Sequence, residues 1–170
     1  MLELTPLRLV LLTHATEFDK PSNTGAVAAA ALQHFKEHHV ETICWSRVAP
    51  DPRLLSHSGY ALLYPTAQAT VLNCDEDTPI QLPHQIHSVI VIDATWQLAQ
   101  KMFNQSPYLR QMPALVLQSS QPSVYRLRRN QRETGWCTAE CVAMVLQKTG
   151  SFAAAAAVTQ AFTAFNLPPR

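Results

Sequence analysis

Apolar positions along this chain fall into short continuous runs separated by stretches with helical spacing, and the alternation predicts a fold class before any motif is considered. Leu7 to Thr13 is almost continuously apolar, the pattern of a strand covered on both faces. Asn23 suits a helix cap, and Val27, Ala31, Leu32 and Phe35 share one face of a helix predicted from Ala26 to His38. Val40 to Trp45 reads as a second strand. Pro50, Pro52 and polar residues separate it from a third, Tyr60 to Tyr64, which stops at Pro65. Asn73 to Pro83 holds Asp75, Glu76, Asp77 and two prolines, the composition of an exposed connection inside one domain. A fourth strand, His87 to Ile92, ends at Asp93 and turns into a helix from about Thr95 to Gln105. Ala114 to Leu117 supplies a further short strand, Gln118 to Gly135 a long loop, and helices over Thr138 to Lys148 and Phe152 to Phe165 follow. Strands alternating with helices predict an α/β fold built on a largely parallel sheet flanked by helices.

The 170 residues are 47% hydrophobic and 15% charged, which suits one domain spanning residues 1 to 170. A chain of this length buries roughly 70% of its unfolded surface, enough to fold without metal or disulfide. The apolar run Ala153 to Val158 is far shorter than the roughly 20 residues that cross a bilayer. Leu7 to Leu12 is interrupted by Arg8, is preceded by Glu3 and lacks a cleavage site, so a signal core is not expected and the protein reads as cytoplasmic. Cys44, Cys74, Cys137 and Cys141 form no CxxC pair, and the expectation is reduced, mostly buried thiols. His84 and His87, like His38 and His39, lack a third ligand, so no metal is expected.

Charge changes the picture. Residues 1 to 93 hold 5 Lys and Arg against 10 Asp and Glu, whereas residues 94 to 170 hold 8 against 2. No acidic residue lies between Ala94 and Arg132, where Lys101, Arg110, Arg126, Arg128, Arg129 and Arg132 all fall. That is the composition of an anion-facing surface, with Arg126, Arg128, Arg129 and Arg132 as phosphate contacts and RNA as a candidate partner. A solvated basic face is the competing reading.

In parallel α/β sheets, ligands gather at the C-terminal ends of the strands, where helix N-termini offer unpaired amides. Asp93, Thr95 and Trp96 stand at such an end. Either they serve a ligand, or Asp93 and Thr95 cap a helix and Trp96 fills the core. Cys137-Thr138-Ala139-Glu140 has capping-box spacing with Cys, a poor cap, in first place, so Thr138 and Glu140 either start a helix or use that start to hold a ligand. No G-x-S-x-G elbow, Walker loop or G-x-G-x-x-G fingerprint occurs, which removes support for the usual hydrolase, nucleotide-triphosphatase and dinucleotide readings.

The string Asp93-Ala94-Thr95-Trp96 resembles the signature of the DTW-domain proteins, the tRNA-uridine aminocarboxypropyltransferases, and other segments agree in order. His14 to Lys20 with Ser22-Asn23-Thr24-Gly25 is similar to the family's first loop. Leu62-Leu63-Tyr64-Pro65 is similar to the turn after its third strand, and Ala99-Gln100-Lys101-Met102 to its continuation after the signature. Tyr125-Arg126-Leu127-Arg128-Arg129 and Cys137-Thr138-Ala139-Glu140-Cys141-Val142-Ala143 resemble its arginine loop and final helix start. The resemblance covers roughly residues 7 to 148, and the ordered set makes it specific.

It implies a fold related to the SPOUT superfamily, with a C-terminal trefoil knot around an S-adenosylmethionine site. It also implies transfer of the 3-amino-3-carboxypropyl group to N3 of a tRNA uridine, with release of methylthioadenosine. Asp93 and Trp96 would be the catalytic residues, Asp93 either accepting the N3 proton or binding the donor's ammonium group. Thr24, Tyr64, Pro65, Asp93, Thr95, Trp96, Leu117, Cys137, Thr138 and Glu140 would line the donor pocket. Arg126, Arg128, Arg129, Arg132 and Lys101 would hold tRNA. Two departures stand out: the cysteine-rich zinc segment that opens many bacterial members is not seen here, and Cys137 replaces the usual Ser. The competing functions are a SPOUT-like RNA methyltransferase and a non-catalytic RNA-binding module. Monomer and homodimer both remain open, the latter by analogy with SPOUT proteins.

Overall fold

The computed structural model describes residues 7–35, 40–56, 58–126 and 135–168. Six strands, β1 (Arg8–Thr13), β2 (Val40–Cys44), β3 (Tyr60–Leu63), β4 (Thr70–Asn73), β5 (Ser88–Asp93) and β6 (Ala114–Gln118), form one sheet in the order β2-β1-β5-β3-β6-β4. Every pairing is parallel, with Thr13 opposite both Cys44 and Asp93. The expected largely parallel α/β sheet is therefore parallel throughout its described strands.

Among the described residues six α-helices cover it: α1 (Thr24–Leu32), α2 (Pro52–Leu55), α3 (Trp96–Asn104), α4 (Pro107–Arg110), α5 (Thr138–Lys148) and α6 (Phe152–Phe165). Because side chains alternate across a strand, β1 feeds two cores at once. Leu9 and Leu11 pack with Val89, Val91, Ala28, Leu32, Val142 and Phe162, on the face covered by α1, α5 and α6. Val10 and Leu12 pack with Ile90, Leu62, Leu54, Met102 and Leu109, on the face covered by α2, α3 and α4. Burying each such aliphatic side chain stabilises the fold by about 1.5–3 kcal/mol.

Several boundaries differ from expectation. The first helix ends at Leu32 rather than His38: Gln33 and His34 turn, and the Phe35 amide bonds the Leu32 carbonyl so that Phe35 returns to the core. Strand β4 was not legible because it is a four-residue edge strand in which only Leu72 is buried. Helices α2 and α4, each four residues, were too short for periodicity to register, although both begin with proline in the first turn. The thiols are free but not mostly buried: Cys137 is buried, Cys74 and Cys141 are half-buried, and Cys44 is exposed at the end of edge strand β2. The expected knot depends on the path of residues 127–134, which lie outside the described residues. No described helix is long and apolar enough to cross a membrane.

The acidic connection between β4 and β5 is largely exposed, yet it is tied down, at Asp75 by Ser119 and Ser120 and further along by Lys148. Lys148 is 3% exposed, and its ammonium donates to the carbonyls of Glu76 at 2.9 Å and Thr78 at 2.7 Å, while the Ile80 amide bonds the Lys148 carbonyl at 2.7 Å. Lys148→Met keeps the buried stem but loses two charge-assisted bonds, and the expected cost is about 1–3 kcal/mol. Urea unfolding measures this, and limited proteolysis is expected to cut faster between Cys74 and Thr78 in the variant.

Candidate functional site

The C-terminal ends of β1 and β5 lie side by side in the middle of the sheet, and the chain leaves them toward opposite faces, α1 to one and α3 to the other. In a doubly wound sheet this divergence opens a crevice. Asp93, the last residue of β5, sits there with 2% of its surface exposed. One carboxylate oxygen accepts from the Thr13 hydroxyl at 3.2 Å and the other from the Thr138 hydroxyl at 2.9 Å. Burial pushes the Asp93 carboxyl above its ordinary range near 3.8, and Glu17 adds to the rise, while hydrogen bonds from Thr138, Thr13 and Asn23 oppose it.

Two helix starts converge on this carboxylate. Asn23 caps α1 by accepting from the Ala26 amide at 3.2 Å, and Thr24 accepts from the Ala139 amide in the first turn of α5 at 3.1 Å. Gly25 faces the Asp93 carboxylate so closely that a Cβ there would lie 2.5 Å from an oxygen, so only glycine fits without displacing it. Glu17, fully buried, anchors the same corner: its carboxylate accepts from Lys20 at 2.6 Å and its carbonyl from the Asn23 side chain at 3.0 Å.

On the α3 side the lining is aromatic. Thr95 caps α3 by accepting from the Leu98 amide at 3.3 Å, which places Trp96 at the first helical position. Trp96 lies parallel to Tyr64 with ring centres 5.9 Å apart, and Tyr64 stacks on Phe103 at 4.1 Å. Pro65 is exposed beside this stack, and Leu117 is half-buried near the end of β6.

Cys137 and Glu140 close a capping box at the start of α5, the Glu140 carboxylate accepting from the Cys137 amide at 3.0 Å. That carboxylate also accepts from the Ser123 hydroxyl and from the Val124 amide at 3.1 Å, so it fastens the approach to the arginine segment. The Cys137 thiol is buried and pushed up to about 12, chiefly by desolvation, which makes it an inert packing group. Tyr125 donates to the Ser22 carbonyl, joining the same approach to the loop before α1.

The DTW domain profile matches residues 2–167. The chain belongs to the DTW domain family. A curated relative, a protein of Macaca fascicularis named tRNA-uridine aminocarboxypropyltransferase 2, is 28% identical over 147 residues, covering 81% of this chain and 46% of that protein. The chain thus spans less than half the length of that relative. No solved structure matches it.

Within this DTW chain the structure brings together Asp93 and Thr138 by a direct hydrogen bond, Thr24 with the adjoining Ala139 amide, and Tyr64 with Trp96 as one stack. Lys101 is exposed on α3. Arg126 is exposed, and its guanidinium donates to the Asn166 carbonyl at 2.8 and 2.6 Å. Arg128, Arg129 and Arg132 lie outside the described residues. Thr13, Glu17 and Phe103 were missed as site residues. Thr13 had a signal only in the strand register, which pairs it with Asp93, and register is not visible in one strand alone. Among the described residues no group of three or more His, Cys, Asp or Glu could hold a metal.

Two substitutions test this corner. Gly25→Ala is expected to destabilise the fold by about 1–3 kcal/mol, measured by urea unfolding, because Asp93 and two helix starts must yield together. Asp93→Asn tests the raised carboxyl. The wild-type carboxyl binds protons more tightly folded than unfolded, so its contribution to stability falls as pH rises from about 3.8 through the folded value. Relative to wild type, the Asn variant is expected to gain stability on going from pH 4 to pH 7.

Proposed function

We propose that this chain is an enzyme of tRNA uridine modification, acting in the cytoplasm, that uses S-adenosylmethionine to place a 3-amino-3-carboxypropyl group on uridine N3. The observation that carries the reading is the buried Asp93 carboxylate, pinned between two helix starts beside a wall of stacked rings, in a chain of the DTW family. The printed name of the macaque relative supports the same reaction.

The residues present suit such a donor. A buried carboxylate held at fixed position is a counter-ion for an ammonium group, and ring faces favour a sulfonium by about 0.5–2 kcal/mol. When bound, the donor supplies an electrophilic methylene: its bond to sulfur breaks as the bond to N3 forms, the N3 proton is released, and methylthioadenosine leaves.

The chain's own part is positioning, which shortens the search for an in-line geometry. In this reading Asp93 is the counter-ion of the donor's ammonium group, its carboxylate fixed at the end of β5. Thr13 and Thr138 keep its two oxygens aimed, and Thr24 fixes α5 so that Thr138 stays in reach. Tyr64, Trp96, Thr95, Pro65 and Leu117 line the donor's adenosine and sulfonium side, and Cys137 and Glu140 shape the helix start that closes it. Arg126, Arg128, Arg129, Arg132 and Lys101 supply phosphate contacts to tRNA.

Nucleosides from unmodified tRNA incubated with donor labelled in its aminocarboxypropyl chain are expected to contain labelled aminocarboxypropyluridine. Asp93→Ala is expected to lose at least about 100-fold in rate, and Asp93→Asn to raise KM for the donor more than for tRNA. A methylated nucleoside instead would replace this reading with the methyltransferase. Neither product, with no donor binding by dialysis, would leave a non-catalytic RNA-binding module.

A further inference from the structure

The corner next to Asp93 carries an aromatic pair to which the site described above gives no role. His14 follows β1 and Trp45 follows β2, and their rings stack with centres 5.7 Å apart and planes 22° from parallel. Backbone bonds lock both to the C-terminal edge of the sheet: the His14 amide donates to the Asp93 carbonyl at 3.3 Å, and the Trp45 amide to the Thr13 carbonyl at 2.8 Å. With strands about 4.8 Å apart, the Trp45 backbone lies about 10 Å from that of Asp93, two strands away.

Both rings are held in place and half-exposed. The Trp45 indole N–H donates to the buried Ser106 hydroxyl at 2.8 Å. The Thr16 amide donates to His14 Nδ1 at 3.2 Å, and since an amide can only donate, Nδ1 is the acceptor and the ring proton sits on Nε2. Nε2 has no hydrogen-bond partner among the described residues. Two residues beyond Trp45, Arg47 is exposed and has no acidic partner among the described residues. Of the acids near this edge, Glu41 and Asp51 pair with Arg53 and Glu17 with Lys20, while Asp19 is exposed in the loop after His14.

A rigid ring pair with a donor N–H at its margin and a cation beside it has the chemistry that receives a single-stranded nucleobase and its phosphate. We propose that the His14–Trp45 stack is a subsite for one nucleobase of the RNA strand, beside the donor site at Asp93, with Arg47 on the adjoining phosphate. This rests on the reading of the chain as an RNA-modifying enzyme, and it names the surface over β1 and β2 as the path of the strand.

Fluorescence anisotropy with labelled octauridylate tests the subsite apart from catalysis. Wild type is expected to bind. Trp45→Ala is expected to bind about fivefold to a hundredfold more weakly, the worth of one base on an aromatic ring, and Trp45→Phe within about threefold of wild type. His14→Ala removes ring and donor from a surface loop, so it reports on the subsite even if Trp45→Ala misfolds; a loss of at least about threefold is expected. Arg47→Ala should lower the slope of log affinity against log salt by about one. In dialysis, methylthioadenosine affinity should not change in the His14 and Trp45 variants. Equal octauridylate binding by His14→Ala and wild type, or none by wild type, overturns the subsite. Weaker methylthioadenosine binding with unchanged octauridylate binding overturns it too, by assigning the stack to the donor. Octauridylate binding that depends on His14 and Trp45, in a protein that transfers nothing to tRNA, leaves the subsite standing and removes the transferase reading.

Discussion

Placing a carboxylate at the end of the central strand of a parallel sheet, out of contact with water, is the constraint around which this molecule is arranged. Desolvation opposes the charge of Asp93, and the neighbouring side chains are the response: two threonine hydroxyls donate to it, one from β1 and one from α5, while Gly25 lets α1 come close enough to seal it. The three elements thus meet through one side chain. Beneath this rim their packing on the α1, α5 and α6 face is built from apolar side chains.

That arrangement divides the crevice into two unlike walls. The α1 and α5 wall is made of hydrogen bonds whose geometry tolerates little displacement, because each joins two different elements. The α3 wall is made of ring faces, where Trp96, Tyr64 and Phe103 stack in series. A ligand that is charged at one end and planar at the other matches such a division. The parallel sheet makes the pairing possible, since it brings every strand's C-terminal end, and the helix starts that follow, to one side.

Much of this was legible in the chain because the relevant signals are local. Continuous apolar runs marked β1 and β5, and the helices α5 and α6 have the limits their periodicity predicts. Asp93 and Thr138 were raised by strand-end position and capping spacing as either ligand-holding or merely structural, and Thr24 by the ordered resemblance alone. What escaped was non-local. The Thr13–Asp93 contact exists only because β1 and β5 pair in one particular register, with 80 residues between them. Lys148 stood in the sequence only as the end of a helix, and its burial under the acidic connection follows from the tertiary path of residues 76 to 80. Glu140 fitted a capping box, but its second task, holding Ser123 and Val124, depends on a loop folding back over α5.

Asn166, just past α6, accepts from the Arg126 amide and guanidinium and donates to the Val124 carbonyl. The arginine-bearing segment is therefore secured by a residue made 40 positions later. During synthesis the sheet and the Asp93 cluster have all their residues available once α5 has emerged, whereas this anchor must wait until α6 has been translated. The Arg126 end of this segment reaches its final form last, after the cluster around Asp93 has all the residues it needs.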